Sequence, residues 1–307
     1  MSMKQRRFLV IVGPTGVGKT RVALEIAEKS GAQILSADSR QIYRYMDIGT
    51  AKPSREERRR VRHYFIDIIN PDQRYSAGEY GQQARQQLRD LFRRGKLPIV
   101  VGGSGLYIRA LLDGLSPELP SDPEIKNQLI EELKASGNIE LHRRLREVDP
   151  QAAERIHPHD SQRILRALEV FQITGRKISE MQKILPQQKL EFTPVVVGLN
   201  MERKRLYQKI EQRVERMIAE GLVEEVEKLV RMGYSKDLNS LRTVGYKEVF
   251  PLLEGKQTLE KTVEEIKKNS RRYAKRQLTW FCSDPRVRWI DNFRGDSTAL
   301  WKLFCNS

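Results

Sequence analysis

Gly13-Pro14-Thr15-Gly16-Val17-Gly18-Lys19-Thr20 has the spacing G-x-x-x-x-G-K-[ST] of a phosphate-binding P-loop. Its flanks decide how it is read. Phe8-Leu9-Val10-Ile11-Val12 comes directly before it as an apolar run of strand length. Residues 21–29 follow, with Val22 and Ile26, and Ala23 and Ala27, at helical i, i+4 spacing. A strand, a glycine-rich turn and a helix N-terminus together form an anion site. Backbone N–H groups converge there and the helix dipole adds partial positive charge. In that arrangement Lys19 reaches the outer phosphate and the Thr20 hydroxyl holds Mg²⁺. The competing reading is an ordinary glycine-rich turn between strand and helix.

Further apolar runs repeat the pattern. Residues 32–37 read as a second strand ending at Asp38, and residues 97–101 as another ending in Gly102-Gly103-Ser104-Gly105, with helical stretches between. This alternation predicts an α/β fold, a P-loop NTPase-like core with a parallel sheet and its ligand crevice at the carboxyl ends of the strands. Asp38 and Ser104 would share that edge with the P-loop. After Leu115 the composition changes. Residues 116–123 are rich in turn formers, residues 124–185 read as polar helix broken at Gly137, Pro150, Pro158 and Gly175, and residues 186–194 are another break. Residues 195–199 return to strand character. The expectation is a core formed by residues 1–118 and 195–307, with a helical insertion domain at 119–194.

The chain has 307 residues and a formal charge of +16, from 56 Lys and Arg against 40 Asp and Glu. Such a surplus points to a polyanion, nucleic acid first, with a merely soluble basic surface as the alternative. The longest apolar runs are too short to span a membrane, and the basic N-terminus meets the first strand without a signal-peptide core. Two cysteines, Cys282 and Cys305, exclude a disulfide framework and a Cys-rich zinc module, and fit a cytoplasmic protein. His157 and His159 have no ligand quartet around them and make a poor metal site.

Four further features bear on chemistry. Asp38, at a strand end beside a phosphate cradle, suits either a Mg²⁺ ligand or a proton acceptor, or else a turn cap. The strand before Gly102 lacks the acid that ATPases use to organise Mg²⁺, which argues against ordinary ATP hydrolysis. Ser104 offers a neutral hydroxyl there, or is a turn residue. Arg213 lies in an expected helix over about 206–232, between Ile210 and Met217 of the buried stripe, so it needs an anionic partner: a structural carboxylate or a pyrophosphate. Two basic stretches stand out. Residues 271–281 interleave cations with Tyr273, Trp280 and Phe281, as phosphate contact with base stacking requires. Gln162-Arg163-Ile164-Leu165-Arg166 sets two arginines at i, i+3.

Taken together these residues resemble the tRNA dimethylallyltransferase family, the bacterial-type isopentenyltransferases acting on adenosine next to the anticodon. The resemblance is carried by GPTGVGKT at 13–20, SADSRQIYRYMDIGTAKP at 36–53, HYFIDI at 63–68, PIVVGGSGLYIRALLDGLS at 98–116, DSQRILRALEV at 160–170, IEQRVERM at 210–217, LRTVGYKEV at 241–249 and KRQLTWF at 275–281. It implies that the P-loop grips dimethylallyl diphosphate rather than ATP, and that Asp38 is the base toward adenine N6. Ser104 stands where the family usually has threonine. Arg213 matches the arginine on diphosphate, so Lys19, Asp38, Ser104 and Arg213 form the implied catalytic set, with Mg²⁺ on Thr20. The tRNA-facing set it implies is Asp38, Ser39, Arg40 and Gln41; Gln162 to Arg166; Arg242, Gly245 and Tyr246; and Lys275, Arg276, Gln277 and Trp280. The implied partners are dimethylallyl diphosphate and the tRNA anticodon stem-loop, with no membrane and a monomeric enzyme. A small-molecule or nucleoside kinase shares the P-loop and strand-end Asp and is the alternative.

Overall fold

The structure is a computed structural model and describes residues 6–115, 120–184, 190–291 and 293–306. In chain order it runs β1 (Arg7–Val12), α1 (Lys19–Ser30), β2 (Gln33–Ser36), α2 (Arg55–Arg60), β3 (His63–Tyr64), α3 (Ala77–Arg93), β4 (Pro98–Val101) and α4 (Gly105–Asp113). Then come α5 (Pro123–Val148), α6 (Pro150–Arg155), α7 (Ser161–Thr174) and α8 (Ile178–Ile184). The last part holds β5 (Thr193–Leu199), α9 (Arg203–Ala219), α10 (Leu222–Arg231), α11 (Phe250–Leu253), α12 (Leu259–Cys282), β6 (Arg288–Ile290) and α13 (Ser297–Cys305).

Among the described residues the sheet has six strands in the order β3-β2-β4-β1-β5-β6, every pairing parallel. β1 is central and buried on both faces, as its continuous apolar run requires. Its alternate residues feed two cores. Phe8, Val10 and Val12 join Leu88 and Leu91 of α3, Leu111 of α4 and Val226 of α10. Leu9 and Ile11 join Val22 and Ile26 of α1, and Leu300 and Phe304 of α13. Two helices contribute to both layers. α9 gives Leu206 and Ile210 to one and Val214 and Met217 to the other, and α12 gives Ala274 to one and Phe281 to the other. Helices that serve both layers pass the end of the sheet, and this brings their middle residues to the strands' carboxyl ends.

Two expectations need correction. The helix expected over 206–232 is two helices, because Gly221 takes a left-handed φ of 99° and starts α10 afresh. Pro194 is not a break but a residue of β5, paired with Phe8 of β1. It is tolerated because β6 joins β5 only from Val197 onward, which leaves Pro194 with one neighbour. Residues 116–119 and 185–189, parts of the expected linkers, lie outside the described residues.

The chain divides into two compact units, Met1–Asp113 with Lys189–Ser307, and Gly114–Gln188. The second carries its own small core of Leu129, Leu141, Leu145, Ile164, Leu168 and Val170. Three of its four described helices start at a capping aspartate that accepts a backbone N–H: Asp122 before Pro123, Asp149 before Pro150, and Asp160. Gly137 interrupts α5 at φ 78° and Gly175 closes α7 in the left-handed region. Local capping chemistry therefore explains the breaks legible in the sequence.

Candidate active site

The P-loop leaves β1 at Gly13 and enters α1 at Gly18. Both need glycine, with φ of 143° and 102°, and a Cβ on Gly13 would lie 2.5 Å from the Leu199 carbonyl oxygen at the end of β5. No side chain caps α1 and its first turn holds no acid, so its N-terminus faces the crevice with its dipole unopposed. Lys19 Nζ donates to the carbonyls of Gly13 (2.9 Å) and Pro14 (2.8 Å). Burial lowers its ammonium to about 7, with Asp38 acting against the fall and Arg213 adding to it. The crevice around the loop encloses about 890 Å³. Eleven Lys and Arg line it against four Asp and Glu, so its field favours an anion.

Thr15, at the loop's apex, is held from two helices. Its hydroxyl accepts from Arg213 Nη1 of α9 at 2.8 Å, and its N–H donates to Gln277 Oε1 of α12 at 2.8 Å. Arg213 thus faces the phosphate-binding loop. Burial lowers its basicity, and Asp38 opposes that.

Asp38 follows β2 at the same sheet edge. One carboxylate oxygen accepts the Arg40 N–H at 2.8 Å, a local turn, while the residue lines the crevice. The turn-capping reading is therefore realised without removing Asp38 from the site. Ser104 accepts the Ser39 N–H at 2.9 Å and lies 3.2 Å from the Ser39 hydroxyl. The Tyr273 phenol lies near Ser104, and burial, with Asp38 nearby, pushes that phenol up to about 12. The glycines around Ser104 allow close approach: an added Cβ would meet the Ala37 carbonyl at Gly102, Gln277 Nε2 at Gly103 and Trp280 Nε1 at Gly105, each at 2.1 Å.

Lys19, Thr20, Asp38, Ser39, Arg40, Gln41, Arg213, Arg242, Gly245, Arg276 and Gln277 all line this one crevice. A smaller cavity of about 390 Å³ adjoins it, sharing Ser39, Arg40, Gly103, Tyr273, Arg276 and Gln277 and adding Tyr43, Tyr75, Ser104, Tyr107 and Trp280.

The residues read as RNA-facing divide by exposure. Gln162, Arg163, Arg242, Lys275 and Arg276 are exposed, with Arg276 over the Tyr273 ring at 5.7 Å. Arg40 reaches the Asn239 carbonyl at 2.8 Å. Leu165 and Trp280 are half-buried. Arg166 is tied to its own unit through Glu169 (2.8 Å) and the Pro120 carbonyl (3.1 Å). Five of the residues read as RNA-facing, Gln41, Ile164, Gly245, Tyr246 and Gln277, are buried, though Gln41, Gly245 and Gln277 still line the crevice. Ile164 is in the core of the second unit and Tyr246 in the main core. Gln41 is buried between Ser36 and the Ala51 carbonyl, and Gln277 is buried on the P-loop. Consecutive helical residues point 100° apart, so a contiguous motif mixes surface with support. Gly245 sits in the left-handed region, donating its N–H to Glu248 at 2.7 Å. His157 and His159 are exposed, and among the described residues no three His, Cys, Asp or Glu group to hold a metal.

Sequence reasoning missed Glu225. Its carboxylate accepts the N–H groups of Asp47 (2.9 Å), Ile48 (2.9 Å) and Gly49 (3.2 Å) and the Tyr246 hydroxyl (2.6 Å), and so fixes the loop that forms one crevice wall. Nothing marks it among the other acids of α10. It also missed the clamp by Gln277, whose only signal was its place in a basic, aromatic helix.

The profile of the family described as IPP transferase matches residues 41–284. The chain belongs to the IPP transferase family. It is 45% identical over 301 residues to a tRNA dimethylallyltransferase of Geobacter sulfurreducens, covering 97% of both chains. It is 50% identical over 285 residues to that of Thermotoga maritima, covering 93% of this chain and 92% of the relative. Among solved structures it resembles the tRNA isopentenylpyrophosphate transferase of Bacillus halodurans, with TM-score 0.70, 36% identity and coverage of 99% and 98%. A eukaryotic dimethylallyltransferase, described as acting on tRNA, gives TM-score 0.78 at 27% identity, covering 97% of this chain and 76% of that one. The IPP transferase relatives support the prenyltransferase reading of the sequence and not the kinase alternative.

Proposed function

We propose that this chain transfers the dimethylallyl group of dimethylallyl diphosphate to N6 of the adenosine on the 3′ side of the anticodon, in tRNAs reading codons that begin with U. Diphosphate is released. The observation that carries the reading is the meeting of an Arg213-braced P-loop with Asp38 in one basic crevice, with Ser104 in the cavity that adjoins it through Ser39, Gly103 and Gln277. Family membership supports the same chemistry.

Adenine N6 is a weak nucleophile because its lone pair is delocalised into the ring. The allylic C1 compensates by tolerating positive charge as its C–O bond breaks. The bond from N6 to C1 forms, the C–O electron pair leaves with diphosphate, and the N6 proton passes to Asp38. Ser104 orients the acceptor through its hydroxyl. P-loop N–H groups, protonated Lys19 and Arg213 supply fixed positive charge where negative charge develops. The target base leaves its loop stack to enter the crevice.

Mg²⁺ fits the donors present. β4 runs into Gly102 with no acid, but a Mg²⁺ held mainly by diphosphate oxygens and water needs few protein ligands, and Thr20 offers one at the crevice wall. When bound it would neutralise charge on the departing diphosphate.

The anticodon stem-loop is the proposed RNA partner, and exposed Arg163, Arg242, Lys275 and Arg276 are the proposed phosphate contacts. The second unit is the proposed tRNA-gripping domain. All groups invoked in the chemistry come from one chain, so the proposed working unit is a monomer. Among the described residues no helix is long and apolar enough to cross a membrane, and both cysteines are free and exposed, which suits the cytoplasm.

The test incubates the protein with an anticodon stem-loop RNA and dimethylallyl diphosphate, then reads the mass of the RNA. A dimethylallyl increment on the adenosine beside the anticodon is expected. Unchanged RNA, with ATP consumed on a small acceptor instead, would overturn the proposal.

A further inference from the structure

α12 meets the site with one face. From Tyr273 to Trp280 it presents a phenol to Ser104, an amide to the P-loop and an indole to Gly105. The middle contact is the most constrained. Gln277 is 6% exposed, its Oε1 accepts the Thr15 N–H at 2.8 Å, and its Nε2 donates to the Gly103 carbonyl at 3.0 Å. One side-chain amide thus joins the loop proposed to hold diphosphate to the turn that carries Ser104. A side-chain amide carries both the acceptor and the donor that these two bonds need. The fit is close, because a Cβ on Gly103 would lie 2.1 Å from Gln277 Nε2.

We propose that Gln277 is a positioning residue for the transfer reaction. It sets the register between the phosphate-binding loop and the Ser104 turn, so that the leaving group and the acceptor meet in line. This rests on the proposed function above. The P-loop is attached covalently to β1 and α1, and the Ser104 turn to β4 and α4. Neither strand dictates how far apart the tips of these loops stand. Gln277 fixes that distance from a third element. Its neighbours Lys275 and Arg276 remain exposed for RNA, whereas the Gln277 side chain is buried and committed to the two loops.

The test compares wild type with Gln277→Glu and Gln277→Ala. Glutamate keeps the size and accepts from Thr15 but cannot donate to Gly103, and it brings a negative charge to the diphosphate site. Three quantities are read: inorganic pyrophosphate affinity by calorimetry, stem-loop RNA affinity by gel shift, and single-turnover transfer at saturating substrates. Melting temperature confirms folding. Wild type must bind both ligands and transfer, and failure there counts against the proposed function rather than against Gln277. For both variants transfer should fall about 10²-fold, the scale of a displacement near 1 Å. Pyrophosphate affinity should fall about tenfold through lost preorganisation, more in Gln277→Glu than in Gln277→Ala, with RNA affinity within about twofold of wild type. Near-normal transfer would overturn the proposal. So would RNA affinity falling as far as transfer with pyrophosphate binding intact, which would make Gln277 an RNA contact. If Gln277→Ala does not fold, Gln277→Glu decides alone by the same criteria.

Discussion

Asp38 spends one carboxylate oxygen on the Arg40 N–H and lines the crevice beside the P-loop. Asparagine can accept the same backbone bond, so Asp38→Asn should leave the turn and the melting temperature unchanged. It cannot take a proton, and single-turnover transfer should fall about 10²–10⁴-fold with both substrates still bound. Wild-type transfer by a folded Asp38→Asn protein would reduce Asp38 to a turn former. Lys19 gives a pH test. Burial lowers its pKa to about 7, so the ligand-free protein loses that proton as pH rises through 7, whereas the charged amine is the form that attracts diphosphate. Pyrophosphate binding should therefore take up a proton near pH 8, and affinity should fall as pH rises from 7 to 9. Calorimetry in buffers of different ionisation heat reads the proton directly. An uptake that persists unchanged in Lys19→Met would assign it to another group.

At the scale of elements, the turn after β4 leaves no room for side chains at two successive positions. Gly102 and Gly103 both meet neighbours at 2.1 Å when given a Cβ, but the neighbours differ. Gly102 meets the Ala37 carbonyl, backbone fixed by the buried end of β2. Gly103 meets the Gln277 amide, the far end of a side chain. Gly102→Ala should therefore destabilise by about 1–3 kcal/mol, the usual range for overpacking, and Gly103→Ala by less. Gly103→Ala should instead impair transfer, because moving Gln277 releases the P-loop. Thermal melts and single-turnover transfer on the two proteins check the split, and equal losses of stability would contradict it.

For the whole molecule, the division into two units makes a separable prediction. Met1–Asp113 and Lys189–Ser307 form the unit that carries the sheet, the P-loop, Arg213 and Gln277. Replacing the segment between residues 113 and 190 by a short flexible linker should leave a folded, pyrophosphate-binding protein. Its stem-loop RNA affinity should drop, since exposed Arg163 is gone along with the rest of the second unit. An unfolded product would show that residues 114–188 are needed to complete the first unit's core.

The sequence by itself determined the P-loop, the parallel α/β core, and the helical breaks at Gly137, Pro150 and Gly175, because these depend on chemistry within a few residues: glycine φ, proline at a helix start, and aspartate caps. It also placed Asp38, Ser104 and the P-loop at one edge, since strand ends in a parallel sheet must share it. The motifs read as RNA-facing were legible as stretches but not as surfaces. Ile164, Tyr246, Gln41 and Gln277 sit in runs of polar and basic neighbours, yet face inward. Only the tertiary structure decided that α12 turns Gln277 onto Thr15 across 262 residues of chain. It likewise decided that Glu225 gathers three N–H groups of a loop from about 180 residues away. Such contacts leave no periodicity or spacing to read, because they depend on which helix faces meet once both core layers have closed around the sheet.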